Sequence, residues 1–226
     1  MFIDLIKIWY EQDFSSKIVE EFVSMLESSE EMLNYVFKIL TQNTIPYDFE
    51  EKIYKKDQSI NFTERNIRKR ILIHLSTNPN SNLPACLALI SVSKDAERLG
   101  DYIKNLFELK KLLKDSKCDS GLFIKLFEKT GSDVEAMFIK VSDAFKNSDR
   151  EMAIESTNKG REIANRCEEI IEEVASSDYS ARQAVVLALG ARYIKRIALH
   201  LSNIASSVTN PLPDVDYFEK KNPEEK

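Results

Sequence analysis

The chain reads as an all-α protein built from two tandem three-helix bundles. Three observations predict this. Apolar residues recur every three or four positions over six long segments, the period of a helix with one face in a core. Only 5 Gly and 6 Pro occur in 226 residues, too few turn formers for a sheet-rich fold. The third and sixth segments also align when the chain is slid against itself by 98 residues.

The first helix is expected over 15–40, where Ile18, Phe22, Met25, Leu26, Met32, Leu33, Val36, Phe37 and Leu40 share helical spacing. Residues 43–46 break it. The second spans 48–75 through Ile53, Ile60, Ile67, Ile71 and Leu75. Residues 76–82 form a loop, made of side chains that compete for backbone hydrogen bonds. The third helix runs over 83–113, and residues 115–121 supply the boundary between the halves. The fourth carries Phe123, Leu126, Phe127, Val134, Met137, Phe138, Val141 and Phe145, with Gly131 as a candidate bend. Ser148-Asp-Arg-Glu151 has the form of a capping box opening the fifth, which continues through Ile154, Ile163, Cys167, Ile170 and Val174. Ser176-Ser-Asp178 is expected to cap the sixth, from Tyr179 to about Val208, and Pro211 and Pro213 to end it. The units are therefore 1–115, which includes an amphipathic N-terminal segment, and 116–210, followed by a charged tail over 211–226.

A net charge of −5 offers no general affinity for nucleic acid. Lys52, Lys55, Lys56, Arg65, Arg68, Lys69 and Arg70 make a basic stretch, but Glu50, Glu51, Asp57 and Glu64 are interleaved with them, as on a solvated helix face. Cys86, Cys118 and Cys167 are scattered and odd in number, so neither a disulfide framework nor a zinc spacing can be built from them. That usage suits a reducing cytoplasm. No apolar run approaches the ~20 residues that span a bilayer. Residues 1–10 are apolar but interrupted by Asp4 and Lys7, which fits a helix capping the core or one docking on a membrane surface or membrane-bound partner.

The usual catalytic constellations are missing. The sequence has no Gly-rich phosphate loop, no Gly-x-Ser-x-Gly and no His-Glu-x-x-His. Of its two histidines, His74 and His200, neither follows a Glu by three residues, so the Glu-x-x-His pairs of di-iron bundles are absent. His200 lies in an apolar stretch and reads as a satisfied core histidine. The most informative segment is 94–106. Glu97 and Asp101 are four apart, so their carboxylates leave one helix face with Cβ atoms roughly 5–6 Å apart. Gly100 between them costs about 0.5–1 kcal/mol relative to Ala, which implies the close approach of a helix or a metal cluster. Two readings stay open. The carboxylates pair with Lys94, Arg98 or Lys104 on a wet surface, or they hold a cation.

Asp95-Ala-Glu-Arg-Leu-Gly-Asp-Tyr-Ile-Lys-Asn-Leu106 resembles the signature closing each repeat of the PhoU family, approximately Asp-Leu-Glu-Arg-Ile-Gly-Asp-His-Ala-x-Asn-Ile. The likeness extends to the six helices, the two repeats and the length. It implies a pair of three-helix bundles side by side, in a cytoplasmic protein that represses phosphate uptake and phosphate-starvation signalling. The partners implied are the ATPase subunit of a phosphate ABC transporter and a membrane phosphate sensor kinase, with a homodimer left open. Family members carry iron or zinc clusters, or another divalent metal, on Glu-x-x-x-Asp pairs. Carried over, the metal ligands are Glu97 and Asp101, with Asp57 resembling an acidic position of the middle helix.

The second repeat keeps Arg196, Ile197, Asn203 and Ile204 of the signature but has Lys195 for Glu, Ala198 for Gly and Leu199 for Asp. Leu199 offers no oxygen, and the ammonium of Lys195 repels a cation, so any metal is expected on the first repeat alone. Lys195 is expected to bond a neighbouring acid instead. The leading expectation is a regulator acting by protein contact rather than a catalyst. A metal-dependent enzyme and a metal-free structural adaptor are the alternatives.

Overall fold

The computed structural model of the chain describes residues 13–41, 47–78, 82–112 and 117–209. Among them are six α-helices and no strand: α1 (Asp13–Thr41), α2 (Phe49–Thr77), α3 (Leu83–Glu108), α4 (Lys117–Asn147), α5 (Arg150–Ala175) and α6 (Ala181–Thr209). A single 3-10 turn, Leu109–Lys111, continues α3. The N-terminal apolar segment, the break at 43–46, Asp115 and the tail with Pro211 and Pro213 lie outside the described residues.

Burial patterns follow from each helix's neighbours. Among the described residues, helix α2 packs mainly on α1 and α3, and α5 mainly on α4 and α6. Each therefore buries one narrow stripe: Phe49, Ile53, Asp57, Ile60, Glu64, Ile67 and Ile71 on α2, and Ala153, Ser156, Gly160, Ile163, Ala164, Cys167, Ile170 and Val174 on α5. The other four helices touch partners in both units and are buried over a wider arc. In α1, Ile18, Phe22, Leu26, Leu33 and Leu40 are joined by Val19 and Val23 on one flank and by Met32 and Ile39 on the other.

Helices α1 and α4 run antiparallel across the middle of the molecule. Phe22 meets Phe145 and Phe37 meets Phe123, with ring centroids 4.6 and 6.3 Å apart. Helices α3 and α6 cross in the same way. These contacts merge the two units into one hydrophobic core.

Helix α4 runs unbroken through Gly131, where a Cβ would lie 2.8 Å from the Phe37 ring of α1. Two expectations are corrected here. The cap of α5 is Asp149, not Ser148: its carboxylate accepts from the Met152 amide at 3.0 Å, while Ser148 turns the chain with φ 50°. The sixth helix opens two residues later than expected, at Ala181. There Ser180 and Gln183 form the reciprocal box: the Gln183 amide donates to Ser180 Oγ and the Ser180 amide to Gln183 Oε1.

Candidate functional site

On the outer helix α2 the apolar stripe is interrupted twice by acids, at Asp57 and, two turns on, Glu64. Their side chains are 8% and 7% exposed. Helix α3 faces them. Its N-terminus is set by Asn82, whose side chain accepts from the Ala85 amide at 3.3 Å, and by Pro84 in its first turn. The two helices run antiparallel in a register fixed by Tyr54, which donates to Glu108 Oε1 at 2.8 Å, and by Lys104, which donates to Asp57 Oδ2 at 2.8 Å. That register brings Gly100 against α2, where a Cβ would sit 3.2 Å from Ile60 Cδ1 and 3.7 Å from Asp57 Oδ1. It also sets Glu64 level with Glu97. Gly100 thus serves the close approach of a helix.

The result is one face carrying Asp57, Glu64, Glu97 and Asp101, each carboxylate met by a cation. Lys104 bridges Asp57 and Asp101, at 2.8 and 3.1 Å. Arg98 holds the other oxygen of Asp101 at 3.3 Å, and Lys94 reaches Glu97 Oε2 at 2.7 Å. Arg68 lies 2.6 Å from Glu64. Burial works against the charge of Lys104, but its bonds to Asp57 and Asp101 outweigh this and hold its pKa above the ordinary lysine value. Glu97 and Asp101 are paired with the local cations that the sequence offered, Lys94, Arg98 and Lys104. Lys104 also reaches a cross-helix partner, Asp57.

A multinuclear cluster of the kind the resemblance implies does not fit these residues. Among the described residues no group of three or more His, Cys, Asp or Glu side chains converges on one point. The space between Asp57 and Asp101 holds the ammonium of Lys104. Glu64 Oε1 and Glu97 Oε2 are enclosed and paired with cations, without aligned hydrogen bonds. A multinuclear cluster needs more protein oxygens than such a pair provides.

The second unit is built differently at the matching place. Laying the buried stripe of α5 on that of α2 puts Gly160 where Asp57 stands and Cys167 where Glu64 stands. On α6, Lys195, Ala198 and Leu199 take the places of Glu97, Gly100 and Asp101. A Cβ on Gly160 would lie 1.9 Å from Ser202 Oγ and 3.0 Å from the Ala198 carbonyl oxygen, so a hydroxyl and backbone of α6 fill the space that acids line in the first unit. Lys195 pairs with Glu168, as expected.

A further polar cluster, which sequence reasoning missed, joins the units between α3 and α6. Asp95 Oδ1 accepts from Asn203 Nδ2 at 3.1 Å and lies 2.6 Å from His200 Nδ1. His200 is therefore satisfied, but at the seam between the units. No signal short of the α3–α6 register could have paired Asp95 with a residue of the other repeat. Glu64 was readable: it follows Asp57 by seven residues on one stripe.

The fold and this site define a duplicated helical-bundle protein of the PhoU type. The PhoU domain model matches residues 22–109 and 127–208, one match in each unit and together well over half of the chain, so the chain belongs to the PhoU family of phosphate-transport regulators. Its fold is similar to that of PhoU from Pseudomonas aeruginosa, with a TM-score of 0.74 and 18% identity over 86% of this chain and 95% of that one. It is equally similar to the phosphate transport system regulatory protein PhoU from Streptococcus pneumoniae, at TM-score 0.74 and 18% identity over 85% and 92%. No curated protein matches the chain in sequence.

Proposed function

We propose that this protein regulates phosphate uptake and phosphate-starvation signalling by direct protein contact on the cytoplasmic side of the membrane. Its partner on this reading is the ATPase subunit of a phosphate ABC transporter, or the cytoplasmic part of a membrane phosphate-sensing kinase. The observation that carries the proposal is the duplicated PhoU match, one copy on each three-helix unit. Two features support action through a surface. No helix among the described residues is long and apolar enough to cross a membrane. The grooves between α4 and α5, of about 470 and 590 Å³, are lined by charges of which several pair with one another, such as Lys159 with Asp133 and Arg166 with Glu169.

The face around Glu97 and Asp101, where carboxylates alternate with Lys94, Arg98 and Lys104, is the proposed contact region. Deleting the gene should raise phosphate uptake in phosphate-replete cells, and the wild-type gene should restore repression. The double variant Glu97→Ala/Asp101→Ala should fold yet fail to restore it. A metal-free structural adaptor is the second reading, favoured by the loss of every acid from the matching place in the second unit. Unchanged phosphate uptake and signalling in the deletion strain would favour it.

A further inference from the structure

We infer that this chain has dispensed with metal, and that the ammonium of Lys104 does the work a bound cation does in clamping α2 to α3. The inference stands apart from the regulatory role.

The first argument is position. Lys104 leaves α3 one turn beyond Gly100 and bonds a carboxylate on each helix, Asp57 of α2 and Asp101 of α3. A cation shared by carboxylates of two helices is what would tie these helices together. The Lys104 side chain is 21% exposed and that of Asp57 8%, so the pair is sheltered and little screened by salt. A divalent ion entering between Asp57 and Asp101 would have to displace the ammonium that already bonds both, with Arg98 on the other oxygen of Asp101.

The second argument is charge. Asp57, Glu97 and Asp101 are matched one for one by Lys104, Lys94 and Arg98. The face therefore lacks the excess negative charge that draws a divalent ion from water. The third argument is independent of the first unit. At the matching place of the second, Gly160 packs its backbone on Ala198 and leaves no room for an ion. One unit fills the place with an ammonium and the other closes it.

The test uses the full chain purified without chelator. Elemental analysis for iron, zinc, manganese and magnesium should give well under one metal per chain. Its melting temperature should be indifferent both to EDTA and to added Mn²⁺ or Zn²⁺, since a ligand that does not bind the folded state cannot shift it. In Lys104→Ser, Asp57 and Asp101 lose their shared cation: melting should fall by several degrees and be partly restored by Mn²⁺. Lys104→Arg should keep most of the wild-type melting temperature. Stoichiometric metal in the wild-type protein, or a wild-type melting temperature that EDTA lowers or Mn²⁺ raises, would overturn the inference. So would a Lys104→Ser protein that melts like the wild type. Should Lys104→Ser fail to fold, the elemental analysis and the wild-type melts still decide the question.

Discussion

Tyr102 and His200 stack with ring centroids 5.5 Å apart and an interplanar angle of 24°, and they hold the same position in the two repeats. The approximate two-fold relation between the units therefore runs through this contact. It also pairs their neighbours: Asp95, which His200 touches, matches Tyr193, whose ring lies 6.2 Å from that of Tyr102. One side of the seam is a carboxylate–imidazole pair and the other an aromatic pair. The repeats have diverged while keeping a shared register.

This seam gives the first prediction. His200→Ala leaves the buried Asp95 with Asn203 as its remaining bonded partner, and an under-satisfied buried acid costs about 1–3 kcal/mol. For a chain of this size each kcal/mol lowers the melting temperature by roughly 2–4 °C. His200→Phe keeps the ring stack and loses the bond to Asp95, so it should lie between Ala and wild type. Scanning calorimetry separates the three.

Gly160 and Gly121 form a matched pair. A methyl group on Gly160 meets a backbone carbonyl at 3.0 Å, so Gly160→Ala should destabilise by about 1–3 kcal/mol through overpacking. Nothing lies within 4 Å of a Cβ on Gly121, and Gly121→Ala should stabilise by about 0.5–1 kcal/mol through helix propensity. Urea denaturation of both variants should show opposite signs.

Lys195 pairs with a Glu168 that is 58% exposed, so Lys195→Met should lower stability only slightly, and less at high salt. Thermal melts at low and high ionic strength check this.

Cys167 supplies a pH dependence. Burial pushes its thiol up from an ordinary 9.0 to about 12. The folded protein keeps a proton that the unfolded chain releases, so stability is whole below pH 9.0 and is lost as pH rises toward 12. The loss is about 1.4 kcal/mol per pH unit in that window. Cys167→Ala should show a flatter alkaline limb than wild type in denaturation curves. The thiol of the native protein should also react slowly with a disulfide reagent at neutral pH.

Much of the fold was legible because long amphipathic helices write their buried stripes directly into the sequence. Six were readable, as was the relation between α3 and α6. Helix ends were less so. Ser148, Asp149, Ser176, Ser177, Asp178 and Ser180 all have capping side chains, and only backbone geometry selects Asp149 and Ser180 among them. Within the candidate site, the local partners of Glu97 and Asp101 could be listed from i,i+3 spacing. The cross-helix bond from Lys104 to Asp57 could not, because it depends on the register of two helices 47 residues apart. Asp95 with His200, 105 residues apart, was hidden for the same reason.

The central claim is regulation of phosphate transport by contact, and binding tests it most directly. The purified chain should be titrated against the purified ATPase subunit of the phosphate transporter and the cytoplasmic part of the phosphate-sensing kinase, with the ATPase subunit of an unrelated transporter as control. The account predicts saturable binding to at least one of the two phosphate-system proteins and none to the control, weakened by Glu97→Ala/Asp101→Ala. Absence of binding to both, with a correctly folded chain, would contradict it.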